Sequence, residues 1–374
     1  MKKIILNANT LFAVYNFRCN LMKSLEKEGC EIVCLGNKDS SSEQIEKNGW
    51  RYIDASMDRR GTSIINDAKL FFNYLKIFKK EKPDYILNFT IKPNIYGSLA
   101  AKLLNIPTIN NVTGLGDIFD KENLTSKIVK ILYKISFKFP KKIFFQNDDD
   151  LNIFLKNNLV DKKICGRLPG SGVEIERFTP KEIKKEDNKI RFLFLGRISN
   201  KKGVRIINEV SKILTPKYPN IEFQLLGKVY TDEEGHISKE ELSSWEKESN
   251  IKYLGTSKDV TKEISKADCI IFPSFYREGV PRSLIESAAM GKPILTTDNV
   301  GCRDIVNDGY NGYLAKPNDI DSMVKIVEKF LNLSKKEKEI LGKNGRKKAV
   351  EEFDEKIVIN KYLNIIRGGN DADN

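Results

Sequence analysis

The feature that most limits what this chain can fold into is an alternation, run through twice, of short apolar stretches with longer amphipathic stretches of helical spacing. The first series reads "KKIILNA", "FRCNLMKSLEKEG", "EIVCLG", a helix near 41–48, "INDAKLFFNYLKIFKKE", "DYILNF", "NIYGSLAAKLL", "PTINNV", "KKIFFQ" and "KKICGRL". Strands that alternate with helices build a parallel sheet with helices on its faces, so the pattern predicts a doubly wound α/β arrangement. It breaks at "PGSGVEIERFTPKEIKKEDNK", residues 169–189, rich in Gly, Pro and charge, and resumes with "IRFLFLG", "GVRIINEVSKIL", "IEFQLLG", "IKYLG", "DVTKEISKA", "DCIIFP", "PRSLIESAAM" and "KPILTT". The prediction is two Rossmann-like domains, 1–168 and 190–352, with 169–189 as linker. Residues 353–374 form a C-terminal helix and tail that pack back on the first domain. A chain of 374 residues fits two domains of roughly 150 to 200 residues each. Their ligand is expected at the carboxyl ends of the strands, in the cleft between them.

Several chemistries find little support. No uncharged apolar run reaches the roughly 18 residues of a membrane span, and "MKKIILNANTLF" reads as a first strand rather than a signal peptide. The chain is therefore expected in the cytoplasm. Its six cysteines are scattered with no C-x-x-C pair and are read as free, mostly buried thiols. The single histidine, His236, lies in the polar stretch "TDEEGHISKE", which leaves a Ser/His/Asp triad or a His-based metal site unsupported. The net charge of +13 is uneven: residues 1–168 hold 28 Lys or Arg against 18 Asp or Glu, a net +10. Such a field suits nucleic acid, anionic lipid or a phosphorylated substrate, or it merely keeps the chain dissolved.

In the second half, glycines or turn residues follow three strands: Gly196 in "FLFLGR", Gly227 in "FQLLGK", and Ser274 to Gly279 in "IIFPSFYREG". Such turns bring backbone amides near a ligand. "GRISNKKG" adds Arg197 and Lys202 before a helix, where cations and helix N-terminal amides together suit a diphosphate; solvated helix-start lysines would read the same way. Glu278 and Glu286 bracket seven residues. Pro281 suits the first turn of a helix closed by Gly291, with Glu286 one turn further on and Glu278 on the preceding loop. Both carboxylates can then face one ligand and accept hydrogen bonds from a sugar diol, or they are a capping and surface pair.

This pair, with "GR…KG" and "GSGVEIERFTP", resembles the retaining glycosyltransferases of family 4, which have the GT-B fold. The likeness covers nearly the whole chain, and "YNFRCNLMKSLEKEGCEIV" and "VTGLGDIF" are similar to members that work on polyprenyl-diphosphate-linked sugars. The resemblance implies catalytic roles for Glu278, Arg197 and Lys202. The two cations would hold the donor diphosphate, and Glu278 would contact the transferred sugar. Glu286 would bind the ribose, with Gly279, Val280, Pro281, Gly227 and Gly196 lining the donor. It implies a UDP-sugar donor and no metal or other cofactor, since the donor phosphate itself takes the acceptor proton. "NDDD", 147–150, is read as a helix cap rather than a metal-binding Asp-x-Asp. Many members carry a His where this chain reads "LNFTIKPNIYG"; the resemblance implies that Thr90 or Lys92 takes its place, or that the donor sugar is held differently.

The acceptor side is expected in the basic first domain, with Arg18, Asn16, Arg59, Lys92 and Thr113 as its candidates. In "LTSKIVKILYKISFKFPKK", 124–142, Lys127, Lys130, Lys134 and Lys138 share one helical face beside Ile128, Ile131, Leu132, Ile135 and Phe139. A basic amphipathic helix can lie on an anionic bilayer, and an ordinary helix with a wet lysine face has the same pattern. The expected protein transfers an N-acetylhexosamine (N-acetylgalactosamine first) or a hexose to a polyprenyl-diphosphate-linked glycan, peripherally on the inner membrane face. The alternatives are a UDP-sugar 2-epimerase, which needs no acceptor, and a basic nucleic-acid-binding protein. The second of these lacks any zinc-finger, RRM or concentrated Arg signature, so no nucleic-acid partner is expected.

Overall fold

The computed structural model describes residues 1–58, 63–116, 119, 123–181, 183, 187–230 and 235–369. The chain divides into two compact units, Met1–Ser171 with Lys356–Asn374, and Gly172–Glu355. The first holds β1 (Lys3–Thr10), α1 (Leu11–Lys27), β2 (Glu31–Asn37), α2 (Ser42–Lys47), β3 (Arg51–Asp54), α3 (Ile64–Glu81) and β4 (Tyr85–Phe89). A π turn, Pro93–Gly97, leads into α4 (Ser98–Leu103), then β5 (Thr108–Val112), α5 (Leu124–Ser136), β6 (Lys142–Phe145), α6 (Asp148–Lys156) and β7 (Cys165–Arg167). All seven strands run parallel in the order β3-β2-β1-β4-β5-β6-β7.

Side chains alternate across a strand, so Ile4, Leu6 and Ala8 face α1 and α2 while Ile5 faces α3 and α4. Burial of both faces explains why these strands read as continuous apolar runs. The C-terminal α14 (Glu355–Arg367) lies on the α1 face, where Tyr362, at 0% exposure, packs against Phe89 and Phe144.

The second unit holds β8 (Ile190–Leu195), α7 (Val204–Leu214), β9 (Ile221–Leu226), α8 (Lys239–Glu248), β10 (Ile251–Tyr253), α9 (Val260–Lys266) and β11 (Cys269–Phe272). α10 (Arg282–Ala289), β12 (Ile294–Thr297), α11 (Cys302–Ile305), β13 (Gly312–Ala315), α12 (Ile320–Leu331) and α13 (Lys335–Glu352) follow. Its sheet is parallel, in the order β10-β9-β8-β11-β12-β13. In both units the strand order reverses beside the first strand, the place where doubly wound sheets open a ligand site.

Three sequence readings are corrected here. Residues 169–189 are not simply a linker, because Val173, Ile175 and Phe178 are buried in the core of the second unit. The Arg346 guanidinium fastens that segment by donating to the carbonyls of Phe178 (2.7 Å), Ile175 (3.3 Å) and, on α10, Ala289 (2.8 Å). The helix expected over 124–142 ends at Ser136, four residues before Pro140, with Phe137 buried beneath it. Lys138 therefore lies beyond α5. The short strands β3 and β13 went unread; each is four residues long and pairs with one neighbour only. The cysteines are all free, and five of the six are buried. Asn147 caps α6 by accepting from the Asp150 N–H at 2.7 Å.

Candidate active site

The residues singled out in the second unit sit on loops at the carboxyl ends of β8, β9 and β11, with Glu286 on the helix α10 that follows, and hydrogen bonds stitch these loops to one another and to the loop after β12. Gly196 N–H donates to Leu226 O at 3.0 Å and Ile198 N–H to Lys228 O at 3.0 Å, so the first loop runs beside the second. The Lys201 carbonyl accepts from the N–H groups of Phe275 (3.3 Å) and Tyr276 (3.2 Å). Asn299, after β12, donates Nδ2 to Tyr276 O at 2.8 Å. The 273–281 loop is thereby fixed from both sides.

At its centre Lys202 Nζ and the Glu278 carboxylate form an ion pair, with side chains 10% and 12% exposed. Ser274 Oγ donates to the same Glu278 oxygen at 3.0 Å. The ammonium also lies 5.6 Å from the Phe272 ring centroid and 5.7 Å from that of Tyr276. A desolvated pair of this kind is costly unless each charge keeps its partner. Burial pushes the nearby Cys302 thiol up to about 12, and the Glu278 charge adds to the shift.

α10 begins at Arg282, with Pro281 as its N-cap rather than in its first turn, and Glu286 lies one turn on. Arg282 Nε donates to Glu286 Oε1 at 2.9 Å. Burial pushes the Glu286 carboxyl upward, against the opposing pull of Arg282 and Arg177. The two carboxylates of the bracketed pair thus engage different cations. Arg197 stands 5.6 Å over the Tyr230 ring. Gly279 and the largely buried Val280 form the turn into α10.

At Gly227 the close approach visible in the structure is that of the neighbouring backbone. A Cβ there would stand 1.7 Å from Gly196 O, so the absent side chain is required by the neighbouring strand end.

The first unit scatters its candidates. Asn16 is exposed on α1, and Thr113 is half-buried directly after β5. Arg18, 4% exposed, is no surface arginine: it stacks 4.6 Å over Phe89 and donates to Phe17 O at 3.0 Å. Lys92 is paired with Asp67 at 2.6 Å, and Tyr96 donates its hydroxyl to the same carboxylate at 2.9 Å. Arg59 lies outside the described residues. Thr90, at the end of β4, has φ +70°, a strained conformation for a β-branched residue, and its buried hydroxyl has no hydrogen-bond partner among the described residues.

Sequence reasoning missed Ser274 as a partner of Glu278, Arg282, Asn299 and a buried asparagine row. In that row Asn7 donates to Asn88 at 2.9 Å and Asn88 to Asn110 at 3.1 Å, on neighbouring positions of β1, β4 and β5. The available signal was an Asn inside each apolar run "IILNA", "ILNF" and "TINNV". For Asn299 it was a fourth strand-end turn, "TTDNVG", of the same kind as the three noted.

Comparison with known proteins places both units. The family described as "Glycosyl transferases group 1" matches residues 176–348, and "Glycosyl transferase 4-like" matches residues 3–147. The chain is a glycosyltransferase. The Campylobacter jejuni N,N'-diacetylbacillosaminyl-diphospho-undecaprenol alpha-1,3-N-acetylgalactosaminyltransferase is 28% identical to it over 369 residues, 94% of this chain and 95% of that one. An Escherichia coli UDP-Gal:alpha-D-GlcNAc-diphosphoundecaprenol alpha-1,3-galactosyltransferase is 27% identical, covering 79% of this chain and 78% of that one. Among solved structures, a Rickettsia africae glycosyltransferase superposes with a TM-score of 0.79 at 19% identity, over 98% of each chain. Anabaena HepE in complex with UDP-glucose does so with a TM-score of 0.79 at 16% identity, over 98% of this chain and 99% of that one. The fold of this glycosyltransferase is GT-B, as the resemblance implied, and no helix among the described residues is long and apolar enough to cross a membrane.

Proposed function

We propose that this glycosyltransferase moves a sugar, N-acetylgalactosamine first among the candidates, from a UDP-sugar to a polyprenyl-diphosphate-linked saccharide, with retention of configuration and without a metal cofactor. The observation that carries the reading is the 28% identity, along 94% of the chain, to a transferase whose name specifies that sugar and that class of acceptor. The site supplies chemistry to match. Arg197 and Lys202 offer positive charge to a diphosphate, the Gly279 and Val280 amides add donors, and the Glu286 carboxylate can accept both hydrogens of a ribose diol. In this reading Glu278 meets the transferred sugar. In this reading the acceptor oxygen bonds to the anomeric carbon as the bond to UDP breaks, on the same face. The acceptor proton passes to the departing phosphate oxygen, so no carboxylate nucleophile is needed. Asn16, Arg18, Arg59, Lys92 and Thr113 are the candidates for acceptor contact, Arg18 stacked on Phe89 and Lys92 paired with Asp67.

The test is transfer of label from a panel of UDP-sugars to a polyprenyl-diphosphate-linked saccharide. Label should pass from one UDP-N-acetylhexosamine, and Glu286→Ala should weaken UDP binding about tenfold or more, the loss of a charge-assisted bond. A new sugar nucleotide formed from the UDP-sugar alone, with no acceptor present, would replace this reading with that of a 2-epimerase.

Association with an anionic membrane surface belongs to the same proposal. It is supported by the outer face of α5, where Leu124, Ile128, Ile131 and Ile135 are 40–74% exposed beside the exposed Lys127 and Lys134, with Lys138 and Phe139 just beyond. The inner face needs none of these side chains, because Ser126, Tyr133 and Ser136 make the buried contacts. At about 1 kcal/mol per lysine, changing Lys127, Lys134 and Lys138 to Gln should lower partitioning onto phosphatidylglycerol vesicles about a hundredfold. Unchanged sedimentation with vesicles would refute the membrane role and leave the transfer reaction standing.

A further inference from the structure

We infer that Glu278 and the donor diphosphate are rivals for Lys202, so that donor binding hands the ammonium from the carboxylate to the phosphates and frees Glu278 to hold the transferred sugar. The inference rests on the reading of this site as a nucleotide-sugar site and deepens it.

The Lys202 ammonium is ion-paired with Glu278, and the two side chains are 10% and 12% exposed. Ser274 Oγ shares the Glu278 oxygen at 3.0 Å, and the rings of Phe272 and Tyr276 flank the ammonium. This lysine is therefore not a loose surface cation waiting for an anion. The carboxylate neutralises it, and an incoming diphosphate meets a negative group already in place.

The surroundings limit how far either partner can retreat. Lys202 closes the short 3-10 turn Asn200–Lys202, with Gly203 in the left-handed region directly behind it. The backbone of the 273–281 loop is held by the Lys201 carbonyl on one side and by Asn299 on the other. The backbones stay fixed while two flexible side chains exchange partners. Ser274 gives Glu278 a neutral hydrogen bond that survives the loss of Lys202, so the carboxylate is not stranded when the ammonium turns away. A carboxylate released in this way is an acceptor of sugar hydroxyl protons. UDP takes Lys202 without offering a sugar to Glu278, and a complete UDP-sugar offers both. The exchange thus makes tight binding of the nucleotide depend on the presence of its sugar.

The consequence is counterintuitive for a residue placed in the site. Glu278→Gln keeps the shape and the bond to Ser274 but removes the rival charge. It should bind UDP about tenfold more tightly than the wild type by calorimetry while losing sugar transfer. In a Lys202→Met background the gain should vanish, because no ammonium is left to compete for. Inorganic pyrophosphate serves as a second probe, with thermal melting to verify that each variant folds.

Tighter UDP binding by Glu278→Gln that disappears with Lys202→Met supports the handover. Equal or weaker UDP binding by the folded variant overturns it and leaves the donor reading intact. A gain of equal size in both backgrounds also overturns it, since the carboxylate would then act as diffuse negative charge rather than through Lys202. If UDP binds neither wild type nor variant while pyrophosphate binds Glu278→Gln more tightly, the handover stands and the uridine reading falls. If neither probe binds either protein, both readings fall.

Discussion

Lys202→Met is expected to lower sugar transfer by about a hundred- to a thousandfold, the range found when a single preorganised group that stabilises developing charge is removed. In the proposed reaction the leaving UDP gains negative charge at its β-phosphate as the glycosidic bond breaks, and Lys202 is a buried cation held in the loop at the end of β8. The same substitution leaves Glu278 without its ion-pair partner in a site only 12% exposed. Breaking one side of such a pair typically costs about 3–5 kcal/mol, tempered here by the Ser274 hydroxyl that remains. Turnover and melting temperature should therefore fall together. Lys202→Arg separates the two effects: it restores charge and much of the stability, but its planar fork does not reproduce a point ammonium between two aromatic rings, so turnover stays low. Near wild-type turnover in Lys202→Met would remove Lys202 from the catalytic machinery.

Gly203→Ala is expected to be as damaging to activity through geometry alone. Gly203 has φ +76°, which side-chain-bearing residues rarely adopt, and a Cβ there would lie 2.0 Å from Pro273 O and 2.6 Å from the carbonyl carbon. Neither contact can relax by a rotamer change, since both atoms are backbone of the loop that carries Ser274 and Glu278. The loop after β8 and the loop after β11 must move apart, breaking the bonds from Phe275 and Tyr276 to Lys201 O and displacing Lys202 from Glu278. A displacement of this order, about 1 Å, costs roughly a hundredfold in rate, and the backbone strain adds about 1–3 kcal/mol of instability. UDP binding, turnover and melting temperature measured on Gly203→Ala test this. A variant with wild-type values for all three would show that the two loops are not coupled as the structure has them.

The doubly wound α/β class was legible because period and spacing are local properties, and the family was legible through the resemblance carried by the Glu pair, "GR…KG" and "GSGVEIERFTP". Two rounds of strand and helix, a Pro at the start of α10 and two Glu separated by seven residues survive without coordinates, and the matches to glycosyltransferase families agree with what they imply. The amphipathic pattern of 124–142 was legible as well, but a sequence cannot say which face looks outward. Only packing shows that Tyr133 and Ser136 turn inward and leave the isoleucines of α5 exposed.

What the sequence by itself determined was the class of most elements, the position of three strand-end loops in the second unit and the residue types available there. Tertiary structure decided the partnerships. Lys202 and Glu278 are 76 positions apart, and their pairing arises because parallel strands β8 and β11 are neighbours in the sheet. The asparagine row across β1, β4 and β5 exists only once three strands are in register. Residues 172–178 look like a linker until Arg346, more than 160 positions away, draws their carbonyls into the second unit. The physical reason is common to all three. Burial makes a charge or a backbone carbonyl seek a partner, and which partner is within reach depends on how distant segments pack rather than on what stands beside it in the chain.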